Sequence, residues 1–278
     1  MGESSHDIVA AKEETLDPPT ALEADGEWQQ VAAEDEFVEA VRTKAAEIIA
    51  SANDIHPQAV IRLALVGYRD YDDNLRSHVE FIDFVEKEDF GALKDFMEHL
   101  VAKGGDDWAE DIAGGLQAVG QLTWKSSTRL VVHFVDYPAH GRKYQEDRAH
   151  GDEQYDRFPD GDPSGLLLEQ LIQNLASNAI DYHMVELTGE TDVMAKTFED
   201  GYLNAADATF FRVNLGHNAD EFVPMVLNSI HRSAGSNRAF QTIARAGVNG
   251  VVPLQNGTSG SRVALADMTQ CLALLGQD

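Results

Sequence analysis

A single cysteine, Cys271, leaves this 278-residue chain unable to form an internal disulfide or a paired-thiolate metal site. Basic residues are also scarce: 21 Lys and Arg stand against 48 Asp and Glu, giving a net charge of -27 and a pI near 4.5. A surface that negative repels phosphate backbones and anionic lipid, so nucleic-acid binding would require a basic stripe. Arg142–Lys143 and the stretch from Arg238 to Arg245 come nearest, and both are short and interrupted. No apolar run approaches the roughly 20 residues of a membrane span. Residues 1–20 lack the apolar segment of a secretion signal. His6 stands where a myristoylation signal takes Ser or Thr. These absences predict a cytoplasmic protein with neither nucleic-acid nor membrane partners.

What is present is an ordinary globular core, with 43% hydrophobic residues. The acid excess keeps such a chain soluble, and it also suits divalent cations that take hard oxygen ligands. Residues 1–34 are acidic and carry Pro18–Pro19, so they read as a flexible tail, with Asp7-Ile8-Val9-Ala10 as a strand fragment within it. Residues 35–235 read as one α/β domain, and residues 236–278 as a C-terminal extension.

Within the domain, helical and strand periods alternate. Phe37, Val38, Val41, Ala45, Ile48 and Ile49 recur at helix spacing. Residues 60–66 are nearly all apolar, as a strand covered on both faces should be. Residues 79–84 read as an edge strand, joined to the first by so short a link that the two pair antiparallel. Two helices follow, then residues 130–135, the clearest central strand. A long polar loop from Tyr137 to Pro163 comes next. Helix, strand, helix, strand and helix complete the domain, and a last helix is expected over residues 264–275. This pattern predicts a doubly wound, mostly parallel sheet between helices, with the first strand uncertain.

In such sheets ligands bind at the carboxyl ends of the strands, where strand order reverses. One central strand runs into Asp70 and another straight into Asp136, and the Gly104-Gly105-Asp106-Asp107 turn precedes a helix start on the same edge. Asp70, Asp106, Asp107 and Asp136 are therefore expected around one crevice. Clustered carboxylates need a cation or a proton, and Mg²⁺ held by one or two of them plus water is economical.

Val66-Gly67-Tyr68-Arg69-Asp70-Tyr71, then Gly104-Gly105-Asp106-Asp107 with Glu110-Asp111, then Asp136-Tyr137-Pro138-Ala139-His140-Gly141 resemble the von Willebrand factor type A domain. The match is to the kind found in von Willebrand-type α-kinases and related stand-alone proteins. The resemblance spans roughly residues 35–235 and implies a Rossmann-like, six-stranded sheet with a metal-ion-dependent adhesion site at its carboxyl edge. It places Asp136 at the last metal-coordinating aspartate and Asp106 or Asp107 near the loop of the middle ligand. The first metal motif, Asp-x-Ser-x-Ser or Asp-x-Thr-Gly-Ser-Met, is not found in residues 24–30. His6-Asp7-Ile8-Val9 resembles the opening of that first strand, but Ala10-Ala11-Lys12-Glu13 replaces the signature. Either residues 6–10 supply a short substitute strand, or the sheet lacks its centre. The site is thus expected to be degenerate. Residues 236–278 are too few for a kinase domain, so kinase activity is not carried over.

The function expected is a protein-binding module, an adaptor or scaffold and not an enzyme. Its metal residues would be Asp136, Asp106 and Asp107; Asp70, Tyr137, His140 and Tyr144 would face a partner, whose own carboxylate completes the metal shell. The alternatives are a metal-dependent hydrolase using His140 and Asp136, or a remnant of an α-kinase-type protein. His133 alternates away from Asp136 along its strand and reads as a core histidine.

Overall fold

The computed structural model describes residues 5–10, 44, 48, 51, 60–71, 78–99, 107–126, 128–146, 155–216, 219–236 and 271–273. Apolar runs in the sequence become strands: β1 (Ser5–Ala10), β2 (Val60–Tyr68), β3 (Val79–Glu86), β4 (Arg129–Val135), β5 (Asp181–Glu186), β6 (Phe210–Asn214) and β7 (Cys271–Ala273). Segments with helical periodicity become α1 (Phe90–His99), α2 (Ile112–Gln121), α3 (Leu168–Ser177), α4 (Asp192–Tyr202) and α5 (Phe222–Ser236).

Strand order is β3-β2-β1-β4-β5-β6, with β7 also against β4. All pairs are parallel except β2–β3, where Leu65 opposes Ile82 and Tyr68 opposes Val79. The antiparallel edge strand read from residues 79–84 is borne out. So is the substitute first strand: β1 places Asp7 opposite both Arg62 of β2 and Arg129 of β4, at the centre of the sheet. Residues 5–10 are thereby tied into the sheet and not part of a loose tail; residues 11–34 lie outside those described. Of the helix read from Phe37 to Ile49, Lys44 and Ile48 are described and helical.

One expectation is overturned at the C-terminal end. Cys271–Ala273 is a strand, not the end of a helix. Val131, Val132 and His133 of β4 stand opposite Cys271, Leu272 and Ala273, where backbone groups of a buried strand need partners that a strand supplies. Residues 264–270 lie outside those described.

Alternation sorts the side chains into two cores. Ala64, Val66, Val131, Val135, Tyr182 and Met184 face α2, α3 and α4, packing on Ile112, Leu116, Ile172 and Phe198. Leu63, Leu65, Leu130, Val132 and Phe134 face the other way, against Leu93, Met97, Phe222, Val226 and Ile48. Covering both faces is what a parallel sheet requires. On the first face α2 approaches β2 closely: a Cβ at Gly115 would stand 2.2 Å from Tyr68 Cδ1. The Tyr68 ring cannot swing aside freely, because its hydroxyl is hydrogen-bonded to His133 Nε2 at 2.9 Å. Gly115→Val is therefore expected to cost about 1–3 kcal/mol by overpacking, measurable as a lower urea midpoint. Gly120→Ala serves as the control, since a Cβ there meets nothing within 4 Å.

Candidate metal and docking site

Because β1, β2 and β4 are parallel neighbours, the ends of β2 and β4 open on one edge of the sheet. The chain leaves β1 toward β2 and β3 on one side and toward β4, β5 and β6 on the other, which makes the β1–β4 boundary the reversal point favoured for ligands. Beyond β2 comes Asp70, and beyond β4 comes Asp136. The segment before α2 joins them: Glu110 N–H donates to Pro138 O at 3.0 Å, and Glu110 and Ala139 form a parallel bridge. Asp111 then caps α2, its Oδ1 accepting from Gly114 N–H at 2.7 Å, the usual task of a carboxylate at a helix start.

His140 sits at the middle of this edge. Its Nε2 lies 2.6 Å from Asp70 Oδ1 and its Nδ1 3.0 Å from Asp156 Oδ1. Asp156 is itself fixed by Gly141 N–H at 2.8 Å, Phe158 N–H at 2.8 Å and Gln145 Nε2 at 2.6 Å. Gly141 adopts φ +114°, a turn that suits glycine and that brings its N–H onto Asp156. Phe158 and Tyr71 pack on the His140 ring at 5.0 and 5.7 Å between centroids. Asp107 completes the group: ligand atoms of Asp70, Asp107 and His140 all lie within 4.8 Å of one another, and all three residues are buried. Asp107 also accepts backbone N–H bonds from Ala109, at 3.0 Å, and from Arg157.

Burial acts on every charge here. It opposes the charge of His140, but the hydrogen bonds to Asp156 and Asp70 and the charges of Asp70 and Asp107 prevail and push the imidazole up to about 10. Burial, reinforced by the negative charge of Asp70, lifts Asp107 to about 7. Burial alone lifts Asp136 to about 7, against the N–H bond from Tyr137. Asp111 rises to about 8, burial outweighing its cap bond. For Asp156 burial works upward too, yet the bonds from His140 and the backbone hold it below the usual carboxylate range. Among the described residues, Oδ2 of Asp70 and Oδ2 of Asp136 are buried carboxylate oxygens without a hydrogen-bond partner, a costly state unless something positive approaches.

The edge thus gathers Asp70, Asp107, Asp136 and His140, while Asp106 lies outside the described residues. Asp136 belongs to the edge but not to the tight group of three. Asp70 and His140, each 2% exposed and bonded to one another, do not face a partner directly, and Tyr137 and Tyr144 do not offer a partner surface either. Tyr137 is 6% exposed and packs edge-on against Trp108. Tyr144 is 4% exposed, lies within the first core and bonds Glu169 Oε2 through its hydroxyl at 3.1 Å. Their aromatic surface is used up inside the fold, and the exposed rim is made instead by Arg142, Lys143 and Asp160. A cavity of about 160 Å³ opens beside His140, with Glu110, Lys143, Tyr144, Asp160 and Asp162 in its lining.

His133 is the satisfied core histidine its strand position implies. It bonds the hydroxyls of Tyr68 and Tyr182, and complete burial holds its imidazole well below its ordinary value. Asp156 was not singled out from the sequence. It sits in the polar loop with no motif around it, and its role depends on a loop closure that no local spacing reveals.

No protein-family model matches the sequence. Among curated proteins, the α-protein kinase vwkA of Dictyostelium discoideum is 27% identical over 176 residues, covering 59% of this chain. The chain spans only 25% of that protein's length. Similar solved structures include von Willebrand factor type A from Catenulispora acidiphila, 12% identical, covering 84% of this chain and 43% of that one, with a TM-score of 0.46. The SpRpn10 VWA domain is 14% identical, covering 78% of this chain and 94% of that one, with a TM-score of 0.41. The chain resembles the von Willebrand factor type A domain, as its motifs imply, and its sheet is the mixed, Rossmann-like one expected of that resemblance.

Proposed function

We propose that this chain, similar over part of its length to a von Willebrand-type α-kinase, is a cytoplasmic protein-interaction module that docks partners at the carboxyl edge of its sheet through a divalent cation. One observation carries the reading: Asp70 and Asp107 converge with His140 beyond the ends of the central strands, Asp136 follows β4 directly, and Oδ2 of Asp70 and of Asp136 lack hydrogen-bond partners. A cation such as Mg²⁺, held by Asp136 and Asp107 with water, would neutralise the carboxylates. A partner's Asp or Glu would complete its shell. The first metal motif of type A domains is not found, so the site is degenerate and its affinity modest. Kinase activity belongs to the relative and finds no counterpart in the proposed role.

Titration calorimetry of the chelator-treated chain with millimolar Mg²⁺, Mn²⁺ or Ca²⁺ is expected to give saturable heat that Asp136→Asn reduces. No heat with any of the three removes the cation from the reading. A panel of phosphatase and esterase substrates, with and without EDTA, is expected to show no turnover. Metal-dependent turnover that disappears in His140→Ala would replace the interaction module by a hydrolase.

A further inference from the structure

We propose that Asp70, Asp107 and His140 form a distinct centre for a divalent ion that accepts nitrogen ligands, of the Zn²⁺ and Co²⁺ class, with Asp156 as the residue that positions His140. The inference rests on reading this edge as an ion-holding docking face, and deepens it by naming different ligands and a different class of ion.

The geometry is that of an imidazole held from behind. Asp156 takes the Nδ1 side of His140 at 3.0 Å, and it is anchored by two backbone N–H groups and Gln145. A carboxylate behind the ring fixes the tautomer and turns the other nitrogen toward the ion, the common arrangement around metal-bound histidines. That other nitrogen, Nε2, faces Asp70 Oδ1 at 2.6 Å, and Asp107 brings a carboxylate oxygen within 4.8 Å of both. Asp70 is 2% exposed, and its Oδ2 has no partner. Asp107 keeps lone pairs beyond its bonds from Ala109 and Arg157. Two carboxylates and one imidazole make an N,O set that suits Zn²⁺ or Co²⁺ better than Mg²⁺ or Ca²⁺, which select oxygen.

On binding, the ion takes the place of the Nε2 proton, which is released to solvent, while the Nδ1 proton stays on the ring and is donated to Asp156. Ligand atoms around a tetrahedral ion at about 2.0–2.1 Å stand roughly 3.3 Å apart. The Asp70–His140 contact therefore opens by less than an ångström. Asp136 is not a ligand of this centre.

The test uses the full chain, stripped by chelator and titrated with Co²⁺, whose visible absorption reports coordination. One equivalent is expected to bind, Zn²⁺ to displace it, and Mg²⁺ to compete only at millimolar concentration, through the shared Asp107. Proton NMR of the Co²⁺ form is expected to show one solvent-exchangeable, strongly shifted imidazole N–H, the Nδ1 proton held by Asp156. His140→Gln and Asp70→Asn should abolish stoichiometric Co²⁺ binding. Asp156→Asn should weaken it about 10–100-fold and lose the shifted N–H. Binding without a shifted imidazole N–H overturns the proposal, and so does binding that survives His140→Gln but not Asp136→Asn. If Mg²⁺ gives heat while Co²⁺ and Zn²⁺ do not bind, this centre is wrong and the docking face stands. Should a variant fail to fold, the N–H signature of the unaltered chain decides.

Discussion

Replacing His140 by Leu is expected to destabilise the chelator-treated protein by about 3–5 kcal/mol, the cost of breaking a buried ion pair from one side. Asp70 and Asp156 are 2% and 3% exposed, and His140 stands between them with one ring nitrogen on each. Removing it leaves two buried carboxylates without their shared counter-charge. Leu refills most of the ring's volume, so packing against Phe158 and Tyr71 is a lesser part of the loss. In a domain of this size the deficit corresponds to a drop in Tm of roughly 6–20 °C. Neutralising the stranded carboxylates in the triple variant His140→Leu, Asp70→Asn, Asp156→Asn should recover part of it. A loss under about 1 kcal/mol would mean that the ionic cluster contributes little.

The chelator-treated protein is also expected to lose stability steadily as pH rises from 6.5 to 9. Asp107 and Asp136 are pushed up to about 7, Asp111 to about 8 and His140 to about 10. Each holds its proton in the folded state to a higher pH than in the unfolded chain, where carboxyls titrate near 4 and imidazole near 6.5. Each therefore contributes stability that is complete below its unfolded value and is lost as pH rises through its folded value. The neutral core imidazoles His133 and His183 have the opposite sign, because burial lowers both. Their effect is confined below about pH 6.5, where the unfolded chain begins to take up their protons. Above that pH the shifts act together, each still-titrating group contributing on the order of 1 kcal/mol per pH unit. The fall should be steepest below pH 8 and shallower beyond it, where His140 alone continues. Urea midpoints collected across this range check it. A flat profile would mean that these groups are not buried together.

The fold was legible because buried parallel strands announce themselves. Residues 60–66 and 130–135 are apolar at nearly every position and bounded by polar turns, and the short link after Tyr68 forces an antiparallel edge. The Asp70 and Asp136 positions followed from topology, since each comes directly after a strand. β1 was only half legible: Asp7 to Ala10 lacks the signature expected after a first strand, and its central place is visible only in its pairing with β2 and β4. The last strand, Cys271–Ala273, was hidden by leucine spacing that fits a helix equally well, because three residues are too few to show a period. At the site, aromatic character suggested a docking role for Tyr137 and Tyr144, yet burial decides whether an aromatic can meet a partner, and both are spent on packing. Asp156 was missed for the complementary reason. Its importance comes from what folds back onto His140, 16 residues away in sequence.

The most direct test of convergence at one edge is to titrate the full, isotope-labelled chain with substoichiometric Mn²⁺ and follow amide NMR signals. Paramagnetic broadening is expected to strike residues 69–71, 107–111 and 136–141 together and first. Signals that fade uniformly, or first around exposed acids such as Glu98 and Asp200, would contradict a shared cation-holding edge.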